Sequence, residues 1–394
     1  MVAFMPAANP GWIGRFWASV VSNPSTGREM DLDVVRGIAI LLAMGWHFNN
    51  HPVANPIAKV VLWPGHAFGW AGVDLFFVLS GFLVGRLVLS EIRQFGRLDV
   101  KSFFVRRIFK LWPTLYFFLA VFLIWEPWRV FFFQTAFHLQ NYFRPPVATH
   151  LWSLAVEEHF YLVFAFLGPL ALSRTRSPSC FAWALTGLMT AILALRCVAF
   201  SLGISAGVLQ VQTQYRIDAL ACGVLMATVA VHYPTTFERL LRPKALWVAI
   251  ALAGCAFLAA TPKSSALGCT VGFTIAYLAS AACLLATYKS GVELVVPWLC
   301  KPIALAGVYS YAIYIWHVPA GKLMDKFILT GRISDPVAII AIEYASAILA
   351  GYLMTRLLER PFLAIREYLF PNLRVRRPAS ARSAIEEGSE TAAP

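Results

Sequence analysis

The stretch DLDVVRGIAILLAMGWHF, residues 31–48, is apolar from Val34 onward apart from two ionisable side chains, Arg36 and His47. A run of this length matches the ~30 Å hydrocarbon core of a bilayer. In lipid it must be helical, because a helix satisfies its own N–H and C=O groups and an open strand does not. Arg36 and His47 are eleven positions apart. That is about 1100° of helical rotation, so they share a face to within ~20°, with a rise of ~16 Å between them. An arginine at one membrane edge is thus linked along one helix face to a histidine near mid-depth. Ionisable groups inside spans are costly, which makes each a functional candidate. The plainer readings are a snorkelling arginine and a hydrogen-bonded core histidine.

Outward from this stretch the pattern repeats. Of 394 residues, 59% are hydrophobic and 13% charged, with a mean hydropathy of +0.66. A soluble domain carries about 25% charged residues, so soluble enzymes, disordered chains and collagen-like repeats are excluded. The expected fold is all-α, a polytopic membrane protein of about ten spans: 34–50, 70–90, 108–125, 152–172, 181–203, 212–232, 245–261, 267–287, 303–321 and 337–357. The aromatic stretch Pro127–Phe143 reads as a helix lying in the interface. With a cytoplasmic N-terminus, 22 of the 33 Lys and Arg fall in the ends and inner loops, seven in outer loops and four in spans. This follows the positive-inside rule and places both termini in the cytoplasm. The net charge of +13 is therefore read as topology, and no nucleic-acid partner is expected. The seven cysteines have no metal-ligand or redox spacing. Residues 1–23 lack a signal peptide's apolar core. The expected organisation is a cytoplasmic segment 1–30, a membrane domain 31–362 and a disordered cytoplasmic tail 363–394.

Further polar residues stand out against the apolar background. FFVRRIFKLWP (103–113) puts Arg106, Arg107 and Lys110 at the inner mouth of the third span. Such cations serve as topology markers or as a phosphate-binding fork. Asp74, Glu157, Glu158, Arg216, Asp218 and His317 lie toward the outer half. Asp74 and the two glutamates either pair with Arg216 or Arg196 to lock the bundle or line a wet acceptor cavity. The run Tyr309–His317, with Tyr314 at its centre, suits sugar stacking or the interfacial aromatic belt. Gly81 and Gly85 form a helix-packing GxxxG. Serine-hydrolase, P-loop, zinc-protease and dinucleotide fingerprints are absent, and no metal is expected. Histidine with carboxylates is what remains for acid–base work.

Taken together, these segments resemble the acyltransferase 3 family of integral-membrane O-acyltransferases. The resemblance runs from about residue 30 to 361. It rests on the Arg36/His47 pair, GVDLFFVLSGF (72–82), FFVRRIFKLWP (103–113), LWSLAVEE (151–158), RIDALACG (216–223), SYAIYIWH (310–317) and ERPF (359–362). Lys110 stands where the family more often has Arg, which keeps the charge but not the bidentate fork. His159 replaces a usual Gln. The resemblance implies an acetyl-CoA (or other short acyl-CoA) donor from the cytoplasm, with phosphates near Arg36, Arg106, Arg107 and Lys110. It implies catalysis by His47 with Arg36 and Glu157 or Glu158, and an acceptor site involving Asp74, Arg216, Asp218, Tyr314 and His317. The expected acceptor is a hydroxyl of a cell-envelope carbohydrate or lipid-linked glycan at the bacterial inner membrane. Since no C-terminal esterase domain follows, the membrane domain acts alone, as a homo-oligomer or with a separate periplasmic partner. The rival readings are acylation of a small hydrophobic metabolite such as a macrolide, and a non-enzymatic glycan or lipid transporter.

Overall fold

The computed structural model describes residues 29–48, 51–125, 129–144, 148–175, 177–328, 333 and 335–371. Among them there is no strand. Ten longer helices carry the fold: α1 Met30–Phe48, α2 Gly72–Phe95, α3 Val100–Trp125, α4 Trp152–Arg174 and α5 Pro178–Ser201. They continue with α6 Ile217–His232, α7 Lys244–Ala260, α8 Phe273–Thr287, α9 Ser310–Ile328 and α10 Pro336–Met354. Six helical segments are long and apolar enough to cross a membrane, or eight if each of two bent pairs is one span. α1 carries Asp31, Asp33 and Arg36 in its first two turns, and α7 is a shorter apolar helix.

One span expected to be continuous, 303–321, is broken, and a second sharp bend follows directly after the expected span 212–232. α6 turns by 117° into Pro234–Leu241. Pro234 forces the preceding Tyr233 out of the helical region, to φ −131° and ψ 60°, as a proline does to its predecessor. The stretch 303–321 is divided at Tyr309 between Pro297–Val308 and α9, with an 80° bend. The interface helix expected over 127–143 is instead two short helices, Arg129–Ala136 and Gln140–Phe143. Between them His138 takes a left-handed φ of 56°, which ends any helix. Residues 126–128 and the end segments 1–28 and 372–394 lie outside the described residues. The expected tail boundary at 363 falls inside a further helix, Arg360–Leu369, whose end is held against α3 by Phe370 meeting Phe109 at 5.9 Å.

Close backbone contacts are made where two glycines face each other across α2 and α6. A Cβ on Gly81 of α2 would sit 2.1 Å from the Leu220 carbonyl oxygen, and one on Gly223 of α6 would sit 2.1 Å from that of Val78. The two helix axes approach closely only because both side chains are missing, as small-residue membrane interfaces require. Gly85 continues the same seam against Val224 and Ala227, so the GxxxG spacing marks the α2–α6 contact. Gly223→Val is expected to lower the thermal midpoint in detergent sharply, since overpacking of about 1–3 kcal/mol or more has nowhere to relax. Gly187→Ala is the matched control, because nothing lies within 4 Å of that position. It should be neutral or slightly stabilising, by roughly 0.5–1 kcal/mol.

Candidate active site

The end of the bundle where residues 51–71, 137–144, 148–151, 203–216 and 261–267 meet holds a cavity of about 990 Å³. Its wall includes His47, His150 and Tyr314 together with Trp46, Trp63 and Trp70. His47 is brought there by α1, whose last turn it occupies. His317 of α9 lies beside it, ring centroids 5.1 Å apart, and His150 is 6.2 Å from His47 and 5.0 Å from His317. Three imidazoles therefore meet at one point from three separated parts of the chain.

Backbone carbonyls fix the tautomers of two of them. His317 Nδ1 is 2.7 Å from the Tyr314 carbonyl, and His150 Nε2 is 3.1 Å from that of Ile315. A carbonyl only accepts, so those nitrogens carry the protons and the opposite nitrogens keep their lone pairs. The free nitrogens, His317 Nε2 and His150 Nδ1, are buried and without a hydrogen-bond partner among the described residues. Both are thus available to a proton carried in their neighbourhood. Tyr314 stiffens this arrangement: its hydroxyl donates to the His150 carbonyl at 2.6 Å and lies 2.6 Å from Ser153 Oγ.

Arg36, on the same face of α1 and about 16 Å from His47, pairs with Asp33 at 2.5 Å. At that end of the bundle Arg106 meets Glu91 at 3.5 Å. The Arg107 guanidinium stacks 3.8 Å from the Tyr161 ring centroid. Lys110 is exposed one turn further along α3. Glu157 and Glu158 are not in the cavity wall; they lie about 8 Å along α4 from Trp152, which is. Tyr161 donates to Glu157 at 3.3 Å and shares a 2.5 Å hydrogen bond with Ser80. The glutamates thus sit at intermediate depth, between the histidine cavity and the Arg107 cation.

Asp74, Arg216 and Asp218 have a different setting. Arg216 pairs with Asp74 at 2.7 Å and Arg196 with Asp218 at 2.6 Å, with all four residues at most 2% exposed. Arg196 also donates to the Tyr215 carbonyl and to Thr274, and the Arg216 guanidinium lies 3.9 Å from the Phe273 centroid. Of the two readings open for these residues, the geometry is that of a charge lock joining α2, α5, α6 and α8 behind the cavity. His159, at the position of the usual Gln, is 2.7 Å from Thr213 Oγ1. No group of three or more His, Cys, Asp or Glu among the described residues is arranged to hold a metal ion.

Sequence reasoning did not single out His150, the tryptophans of the wall or Lys263. His150 precedes LWSLAVEE directly, and that adjacency was its one signal. Lys263 entered only as an outer-loop cation. It lies in the loop between α7 and α8, its ammonium 5.1 Å from the Trp46 centroid and 5.4 Å from that of Trp70. Burial there pulls its pKa down to about 7, and the Arg216 charge adds to the fall.

A family model described as an acyltransferase domain matches residues 30–356. The O-acetyltransferase OatA of Staphylococcus aureus strain NCTC 8325 / PS 47 is 24% identical over 367 residues, covering 84% of this chain and 56% of the relative. OatA of strain MRSA252 gives the same figures. The chain thus spans about half the length of these curated relatives. No solved structure matches.

The charge lock carries a stability prediction. Removing one member of a buried pair leaves the other charge uncompensated, at a cost of about 3–5 kcal/mol. Asp74→Asn and Arg216→Met should each give aggregated or poorly extractable protein by fluorescence size-exclusion. The double variant Asp74→Leu/Arg216→Met should recover much of the monodisperse peak. Full folding of both single variants, with selective loss of acceptor binding, would instead make this pair a substrate site.

Proposed function

The chain belongs to the acyltransferase family whose domain model it matches, and from that membership we propose that it transfers an acyl group, acetyl first, from cytoplasmic acyl-CoA to a carbohydrate hydroxyl. The acceptor belongs to the cell envelope or to a secreted or lipid-linked glycan. The observation that carries this reading is His47 in the wall of a large cavity, flanked by two imidazoles that each keep a lone pair free.

In the reaction, the acceptor hydroxyl oxygen attacks the thioester carbonyl carbon. A C–O bond forms, the C–S bond breaks, the hydroxyl proton passes to His47, and the CoA thiolate leaves and regains a proton. In the second possible order the acyl group rests on His47 before passing to the hydroxyl. The phosphates of the donor are assigned to Arg36, Arg106, Arg107 and Lys110, which share the bundle end opposite the cavity. Glu157 and Glu158, at intermediate depth, are assigned to the donor's path. His317 and Tyr314 support His47, whereas Asp74, Arg216 and Asp218 act on the acceptor site through the wall behind it. Ten spans with both termini cytoplasmic, in a bacterial inner membrane, put the cavity on the outer face. The distribution of 22 of 33 cations over the ends and inner loops supports that orientation.

The test uses purified protein in nanodiscs with radiolabelled acetyl-CoA and host envelope glycans. Wild type should release CoA and label the glycan. His47→Ala should lose roughly 10²–10⁴-fold in rate, the range of one acid–base group. Arg36→Gln should mainly raise KM for acetyl-CoA. Absence of CoA release and of labelled glycan with wild type, or full rate in His47→Ala, would overturn the reading.

A further inference from the structure

Apart from the histidines, the charged side chains in the cavity wall itself have one sign, and the nearby Asp74 carboxylate is taken up by Arg216. Two cations, Lys263 and Arg144, belong to its wall, and among the described residues no Asp or Glu does. Neither cation has a carboxylate partner among the described ion pairs. Lys263 is half-buried and faces two indole rings. Arg144 stands at the rim in a left-handed conformation, φ 50°, with its guanidinium over Gly207, where a Cβ would come within 2.5 Å of it. Arg196, Arg216, Arg36 and Arg106 have carboxylates within 4 Å, and the Lys244 ammonium donates to two backbone carbonyls. An ammonium held among aromatic rings with no carboxylate in contact loses hydration and gains cation–π attraction in partial return. Such an arrangement is completed by an anion.

Resting on the acceptor reading above, we propose that the acceptor is acidic: it carries a carboxylate or phosphate that Lys263 and Arg144 bind while its hydroxyl lies at His47. The tryptophans beside Lys263 give apolar faces for sugar rings, as pockets for orientated ligands combine apolar walls with a few placed polar groups. Trp46 is adjacent to His47 in α1 and its ring faces the Lys263 ammonium. An anionic group at Lys263 is therefore held in the same cavity that His47 lines. The lowered pKa of Lys263 is consistent with a cation awaiting its partner, since an adjacent anion stabilises the protonated amine. The anion has two chemical sources, a uronate-type carboxylate on the glycan or the diphosphate of a lipid linker.

Binding can be read without turnover. Full-length protein in nanodiscs, without acyl-CoA, is titrated with trigalacturonate, with its carboxyl-reduced galactose trimer, and with inorganic pyrophosphate, following tryptophan fluorescence and calorimetry. Trigalacturonate should bind at least roughly tenfold tighter than the neutral trimer, the scale of one charge-assisted hydrogen bond. That preference should weaken with salt, collapse in Lys263→Gln and persist in Lys263→Arg. Pyrophosphate binding without trigalacturonate binding would assign the anion to the linker. Equal affinity for acidic and neutral trimers with no pyrophosphate binding, or an unchanged preference in Lys263→Gln, overturns the proposal. Because no donor is present, these outcomes are independent of whether the protein releases CoA, which tests the transferase reading separately.

Discussion

Charge inside an apolar bundle has to be compensated, and the rest of this molecule is arranged around that constraint. Arg196 and Arg216 are among the largest fully buried side chains, and each is met by an aspartate within 2.7 Å. A lone charge there would face several kcal/mol of desolvation. Geometry must therefore keep α2, α5 and α6 in register, with Thr274 and Phe273 of α8 closing the set. The Gly81–Gly223 contact does the same work sterically, because α2 and α6 approach closely only in the register that puts glycine against backbone. Asp74 lies two turns before Gly81 on α2, and Arg216 opens α6 two turns before Gly223. One helix pair thus carries both the electrostatic and the steric lock, and Val73, beside Asp74, forms part of the cavity wall.

What was legible in the sequence depended on whether the signal was local. Helix existence followed from apolar run length, and the shared face of Arg36 and His47 followed from 3.6-residue periodicity; both survive in α1. The GxxxG spacing marked a close-packing face of α2 for the same reason, and its partner, α6, came only from the structure. Asp74, Arg216 and Asp218 were visible as misplaced charges, and pairing of Asp74 with Arg216 or Arg196 was one of two open readings; which arginine it takes, 142 positions away, was not legible. Arg196, the fourth member, belongs to no short motif. His138 broke the expected interface helix through a left-handed backbone that residue type alone does not demand. The Tyr309 break went unread because its flanks are uniformly apolar, and hydropathy is blind to a bend between two apolar helices. The convergence of His150 and His317 on His47 is a tertiary fact with no sequence signature.

The family resemblance and the physical reading divided the site differently. Resemblance joined the glutamates to the Arg36/His47 pair as one set, while burial and hydrogen bonding separate these residues into positions along the length of the bundle. His47 belongs to the cavity; Glu157 and Glu158 lie one to two turns deeper, beside Arg107 and Tyr161; Arg36 lies a further stretch away on α1. The proposed transfer between a donor from one face and an acceptor from the other would use such a gradation, since its reactants would meet at a single atom without opening a continuous water path.

The two fixed imidazoles bear on how His47 would work. A lone base in an apolar bundle becomes an imidazolium when it takes a proton, and that cation would be expensive at mid-depth. His150 Nδ1 and His317 Nε2 are the nearest acceptors the fold supplies, and both have been kept unprotonated by carbonyls on their far sides. Neither Tyr314 nor Ile315 can release its carbonyl without unwinding α9. Tautomer choice is thereby tied to the integrity of a helix, as second-shell hydrogen bonds elsewhere set which imidazole nitrogen reacts. A glutamate in the same position would also accept a proton, but its own negative charge would need a counter-ion inside the wall. Two neutral imidazoles stabilise a transient cation without a permanent charge of their own, so His47 needs no carboxylate in the wall beside it.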